Sequence, residues 1–156
     1  MKLGFIGTGE ITKAVVIGIL GSKIKFQKIY LSKRNSKIST FLTKKSKKIQ
    51  IEKNNQDLIN KSDWVFLAVT PKVGNKIIEK LHFKRRQTIV SFISTIQLPK
   101  LKKLTKNRTN IVRAIPLPPI SLRKGPIPIF PPNKKVKRFF SNLGTVIEIN
   151  DEKKSL

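Results

Sequence analysis

The sequence contains no cysteine, which excludes disulfides, thiolate nucleophiles and thiolate-bound metals together. It has a single histidine, His82, and eight acidic residues, with neither a His-x-x-x-His spacing nor a paired-carboxylate spacing, so metal-assisted and two-carboxylate hydrolysis lack their side chains. His82 stands at the end of a helix-like stretch with no acid to orient it, and reads as a solvated terminal residue rather than a catalytic one. No apolar run approaches the ~20 residues needed to cross a bilayer, and the first strand-like stretch is too short for the apolar core of a signal peptide. The expected setting is the cytoplasm, with no membrane association.

Acidic charge is scarce. Thirty-four Lys and Arg face 8 Asp and Glu over 156 residues, a formal charge of +26, against about 2 to 8 for a small soluble domain. An acidic partner is one explanation, and non-specific nucleic-acid binding that weakens steeply with salt is its simplest form. Compositional drift is the other, since the basic residues are 27 Lys to 7 Arg beside 22 Ile. Lysine clusters at residues 44–48 and 134–138 have no stacking aromatics interleaved and read equally as solvated helix faces.

What is present is an alternation of strand-like and helix-like runs. Lys2 to Ile6 is strand-like, and Ile11, Ala14, Val15, Gly18 and Ile19 recur at helical spacing before Gly21. A strand at 29–31, a helix at 36–48 and a strand at 49–51 follow, then a short helix at 55–61. The apolar run 64–69 has the character of a strand buried on both faces, with Trp64 and Phe66 as core residues. Pro71 suits the first turn of a helix, and further strands are expected at 88–92 and 110–114, with a helix at 98–104 between them. Seven of the nine prolines fall between 115 and 132, which forbids a continuous helix and leaves a loop with at most an edge strand near 127–130. A helix at 134–143, with Phe139 and Phe140 on its buried stripe, and a strand at 146–149 complete the pattern. The fold class is α/β: a doubly wound, mostly parallel, Rossmann-like sheet in a three-layer α/β/α sandwich, forming one domain over residues 1–150 with a frayed polar tail at 151–156.

The informative loop is the first. Gly7-Thr8-Gly9 stands between a strand and a helix, where one glycine permits the tight turn and the next lets backbone approach a pyrophosphate resting on the helix N-terminus. The third glycine of the G-x-G-x-x-G pattern is Thr12, whose bulk predicts slightly wider helix–strand packing. Glu10 must point outward, because a carboxylate beside a pyrophosphate repels it. About 20 residues on, where an acid would grip the ribose of NAD, the sequence reads Ser32-Lys33-Arg34-Asn35. Two cations flanked by a hydroxyl and an amide suit a 2′-phosphate, hence NADP(H) rather than NAD(H), while two adjacent basic residues are also common by chance in so lysine-rich a chain.

Gly4-Phe5-Ile6-Gly7-Thr8-Gly9, Ser32-Lys33-Arg34-Asn35, Ala68-Val69-Thr70-Pro71-Lys72, Ser91-Phe92-Ile93-Ser94 and Arg113-Ala114-Ile115-Pro116-Leu117-Pro118-Pro119 occur in the order of landmarks in pyrroline-5-carboxylate reductases. The chain resembles the N-terminal cofactor domain of that family over roughly residues 1–150. The resemblance implies hydride transfer from NADPH to a cyclic imine, giving L-proline. It implies Gly7, Thr8, Gly9, Glu10 and Ile11 around the pyrophosphate. Ser32, Lys33, Arg34 and Asn35 then serve the 2′-phosphate, and Val69, Thr70, Pro71 and Ser94 the nicotinamide ribose. No residue need act as acid or nucleophile. Leu117 and Pro118 replace an asparagine and a threonine of the family motif, which removes hydrogen-bonding groups from the reaction face. The family's helical dimerisation domain is not expected in this sequence; a separately encoded helical chain could complete the enzyme.

Overall fold

The computed structural model describes residues 1–33, 35–106 and 110–152. Its elements follow in the order β1 (Lys2–Ile6), α1 (Glu10–Leu20), β2 (Lys28–Leu31), α2 (Ser36–Thr43), β3 (Ile49–Ile51), α3 (Asn55–Lys61), β4 (Trp64–Leu67) and α4 (Pro71–Ile77). Then come β5 (Thr88–Ser91), α5 (Leu98–Leu104), β6 (Asn110–Ala114), β7 (Pro126–Phe130), α6 (Lys134–Phe140) and β8 (Thr145–Glu148). The strands form one eight-stranded sheet in the order β3-β2-β1-β4-β5-β6-β7-β8. All neighbours are parallel except β6 and β7.

The sheet is buried on both faces. The period-2 alternation of side chains sends Leu3, Phe5, Trp64, Phe66, Val90 and Val112 to the face covered by α1, α2 and α6. Ile6, Val65, Leu67, Ile89 and Ile111 face the layer built from α3, α4 and α5. On the first face Phe66 is the centre of an aromatic cluster, stacked on Phe5 at 4.4 Å and 5.7 Å from Phe139, while Trp64 lies 4.8 Å from Phe139. Trp64, Phe66, Phe139 and Phe140 are thus core residues. The architecture is the expected three-layer Rossmann-like α/β domain, and among the described residues no helix is long and apolar enough to cross a membrane.

Three local expectations change. The second helix ends at Thr43 rather than Lys48, because the lysines at 44, 45, 47 and 48 supply no apolar residue to extend its buried stripe. The proline-rich stretch does not end at a sheet edge: β7 lies between β6 and β8. Pro126 and Pro128 alternate with Ile127 and Ile129, so the missing N–H groups all fall on the β6 side. There the Pro128 carbonyl still accepts from Ile115 N–H (3.0 Å), and on the other side the Ile129 carbonyl accepts from Ile149 N–H (2.9 Å). Finally, residue 152 is no frayed tail, since the Glu152 carboxylate packs inward against Arg113.

Candidate functional site

β1 and β4 are neighbours whose connections leave in opposite directions, to α1 and β2 on one side and to α4 and β5 on the other. That reversal opens a crevice at the carboxyl ends of the strands, the place where doubly wound sheets bind ligands. Gly7 follows β1 and Ala68 follows β4, one on each lip. Gly7 has φ +100°, and a Cβ there would stand 2.4 Å from the Ala68 carbonyl oxygen, so only glycine fits both the backbone and the gap.

The loop is stitched by three hydrogen bonds. Gly7 N–H donates to Ser32 Oγ (2.9 Å), the Thr12 hydroxyl donates to the Gly7 carbonyl (2.6 Å), and Asn35 N–H donates to Thr8 Oγ1 (3.0 Å). Asn35 in turn caps α2 through Ile38 N–H. The segments after β1 and β2 are therefore locked to one another, and Thr12, expected to loosen the helix–strand contact, instead ties α1 to the strand end.

Helices α2, α3, α4 and α6 each open on a side-chain cap, from Asn35, Asn54, Thr70 and Asn133, and Leu98 N–H at the start of α5 is met by Glu152. Among the described residues α1 alone begins without a side-chain acceptor. It begins on Gly9, whose φ of −85° any residue adopts and where a Cβ would meet nothing within 4 Å. Neither backbone strain nor packing calls for glycine there. The open amides of α1 and the open space at Gly9 together make a seat for an anion.

Two adjoining spaces flank this loop. The larger, about 530 Å³, is lined by Gly7, Thr8, Gly9, Asn35, Ser36, Lys37, Ala68, Val69, Thr70 and Val73. The smaller, about 230 Å³, is lined by Ile6, Gly7, Ser32, Lys33, Lys53, Asn54, Asn55, Val69 and Ile77. No acid lines either. Glu52, adjacent to Lys53 in sequence, is buried and bound to Lys61 Nζ at 2.6 Å, a hydrogen bond that holds the Lys61 ammonium above its ordinary value of 10.5.

The candidate residues fall into five groups. Gly7, Thr8, Gly9, Asn35, Val69 and Thr70 line the larger space, and Ser32 and Lys33 the smaller. Glu10 and Ile11 instead line a separate, mainly apolar groove between α1 and the turn at Pro118–Leu122. Pro71 is the first residue of α4, and Ser94 lies exposed on the β5–α5 turn; neither lines these spaces. Arg34 lies outside the described residues. Sequence reasoning missed Lys37, Lys53, Asn54 and Asn55. Asn35 and Asn54 each stand before a helix as N-cap, a signal visible in sequence, but nothing local shows that the two helix starts converge on one cleft.

Residues 2–95 match the family model described as NADP oxidoreductase, coenzyme F420-dependent. The chain belongs to that family. It is 27% identical over 128 residues to pyrroline-5-carboxylate reductase 3 of Danio rerio, covering 80% of this chain and 44% of that protein. In structure it resembles a pyrroline-5-carboxylate reductase from Coxiella burnetii, with TM-score 0.83 and 23% identity over 96% of this chain and 59% of that one. It also resembles Plasmodium falciparum pyrroline carboxylate reductase solved with NADP bound, with TM-score 0.79 and 21% identity over 96% and 58%. The chain spans about half the length of the curated relatives it matches. It is a Rossmann-like oxidoreductase domain related to pyrroline-5-carboxylate reductases.

Proposed function

We propose that the cleft binds NADP(H) and that the chain is the cofactor-binding part of an imine reductase of the pyrroline-5-carboxylate type. The observation that supports this reading is Gly9: a glycine with no structural duty, opening a helix whose first amides meet no side-chain acceptor, in a cleft free of acids. A pyrophosphate over the Gly7–Gly9 loop would take the α1 amides. Lys33 and Lys53, with the Ser32 hydroxyl between the loops, would meet the 2′-phosphate in the smaller space. Val69 and Thr70 would border the path toward the nicotinamide. The bound cofactor would supply the hydride for reduction of an imine, and the relatives' names make 1-pyrroline-5-carboxylate the substrate to try first. The protein's part is placement and exclusion of water.

Titration with NADPH and with NADH, each at low and high salt, tests the binding. NADPH is expected to bind at least about tenfold more tightly than NADH, with a preference that persists at high salt. Equal affinity for the two, with only polyanions binding and salt abolishing it, overturns the reading in favour of a non-specific basic surface. An imine-reduction assay, alone and with any helical chain that co-purifies, then tests turnover.

A further inference from the structure

At the carboxyl end of β6, among Ile111, Val112 and Ala114, stands an arginine. The side chain of Arg113 is 1% exposed and that of Glu152 11%. Nη1 of Arg113 donates to Glu152 Oε2 at 2.7 Å, and Nη2 donates to the Ser94 carbonyl. Nε has no hydrogen-bond partner among the described residues. The same Glu152 oxygen accepts from Leu98 N–H at 2.8 Å. One ion pair thereby joins the segment after β8 to Ser94 within the β5–α5 turn and to Leu98 at the start of α5.

An apolar side chain at 113 would fill the site without burying a charge, and replacement of a buried pair by apolar residues is often neutral or stabilising. The arginine is therefore poorly explained by stability. What it does accomplish is to pin the turn. That turn leaves the sheet beside the cleft, since Phe92 N–H donates to the Leu67 carbonyl at 2.8 Å, immediately before Ala68 and Val69. Ser91 Oγ accepts from Ile93 N–H and bends the chain there.

We propose that Arg113 and Glu152 are positioning residues that hold the Ser94 turn against the nicotinamide half of the bound cofactor. This rests on the NADP(H) reading of the cleft. Neither Arg113 nor Glu152 lines the spaces of the cleft; the pair would set the distance between the Ser94 turn and the Val69 lip, so its loss is expected to affect one half of the ligand only.

The test compares NADPH with adenosine 2′,5′-bisphosphate, which carries the adenosine end and lacks the nicotinamide. In Glu152→Ala the affinity for NADPH is expected to fall about tenfold while that for the bisphosphate stays within about twofold. Glu152→Gln keeps an acceptor for Leu98 N–H and for the guanidinium, and is expected to restore most of the NADPH affinity. Because Glu152→Ala strands a buried cation and could unfold the chain, the double variant Arg113→Met with Glu152→Gln removes the pair as a unit. It too is expected to lose NADPH affinity selectively, since the Ser94 carbonyl no longer has its donor. Unchanged NADPH affinity in the double variant, or an equal loss for both ligands, overturns the proposal. If the wild-type chain binds neither ligand, the NADP(H) reading itself falls.

Discussion

The hydroxyl of Thr12, fully buried in the first turn of α1, donates a 2.6 Å hydrogen bond to the carbonyl oxygen of Gly7 at the end of β1. The position where a third glycine would only permit close packing is here a bond that fixes the shape of the loop. Thr12→Val keeps the volume and removes the donor, leaving a buried carbonyl unpaired at a cost of about 1–3 kcal/mol. Thr12→Ser retains the donor and is expected to lie much nearer the wild type. Urea unfolding of the three proteins measures the difference, and equal midpoints for Val and Ser would show that the bond contributes nothing.

The two glycines of the loop separate a structural role from a binding role. Gly7→Ala places a Cβ at 2.4 Å from the Ala68 carbonyl with φ +100°, and is expected to destabilise the fold by more than about 1–2 kcal/mol. Gly9→Val meets no protein atom within 4 Å at the first added carbon, so the thermal midpoint should stay near that of the wild type. Its NADPH affinity is nonetheless expected to fall at least about tenfold, because the side chain enters the space left for a pyrophosphate. Calorimetric titration beside a thermal melt distinguishes the two; a Gly9→Val protein binding NADPH normally would remove the main support for the proposed site.

In the proposed reading, selectivity for the 2′-phosphate would come from cations of two different loops. Lys33 and Lys53 line the same small space with Ser32. Each alone, changed to Gln, is expected to weaken NADPH by about fivefold and leave NADH almost unaffected, as suits exposed charge contacts worth about 1 kcal/mol. Raising the salt concentration should shrink both effects. Parallel losses for NADPH and NADH would place these lysines elsewhere on the ligand.

Phe66 is fully buried and lies within 6.5 Å, centroid to centroid, of Phe5, Trp64, Phe92, Phe139 and Phe140. Phe66→Ala should cost about 3–5 kcal/mol, a large share of the about 5–15 kcal/mol that stabilises a domain. The single tryptophan, Trp64, is in the same cluster and its fluorescence reports the unfolding directly.

The linear order of residues by itself determined the kinds of element and the loop between β1 and α1. Burial on one stripe or on both faces leaves a periodic trace, and a strand–Gly-x-Gly–helix junction is a local arrangement. Local information also excluded thiol chemistry and showed that no continuous helix passes through the proline-rich stretch. It did not reach β7's place inside the sheet, which rests on which side of the strand the absent N–H groups face. Nor did it show the convergence of Lys37, Lys53 and Asn54 on the glycine loop, or the joining of Arg113 to Glu152 across 39 residues. Those relations depend on strand order and register, which bring together residues far apart in the chain, and only the packed sheet decided them.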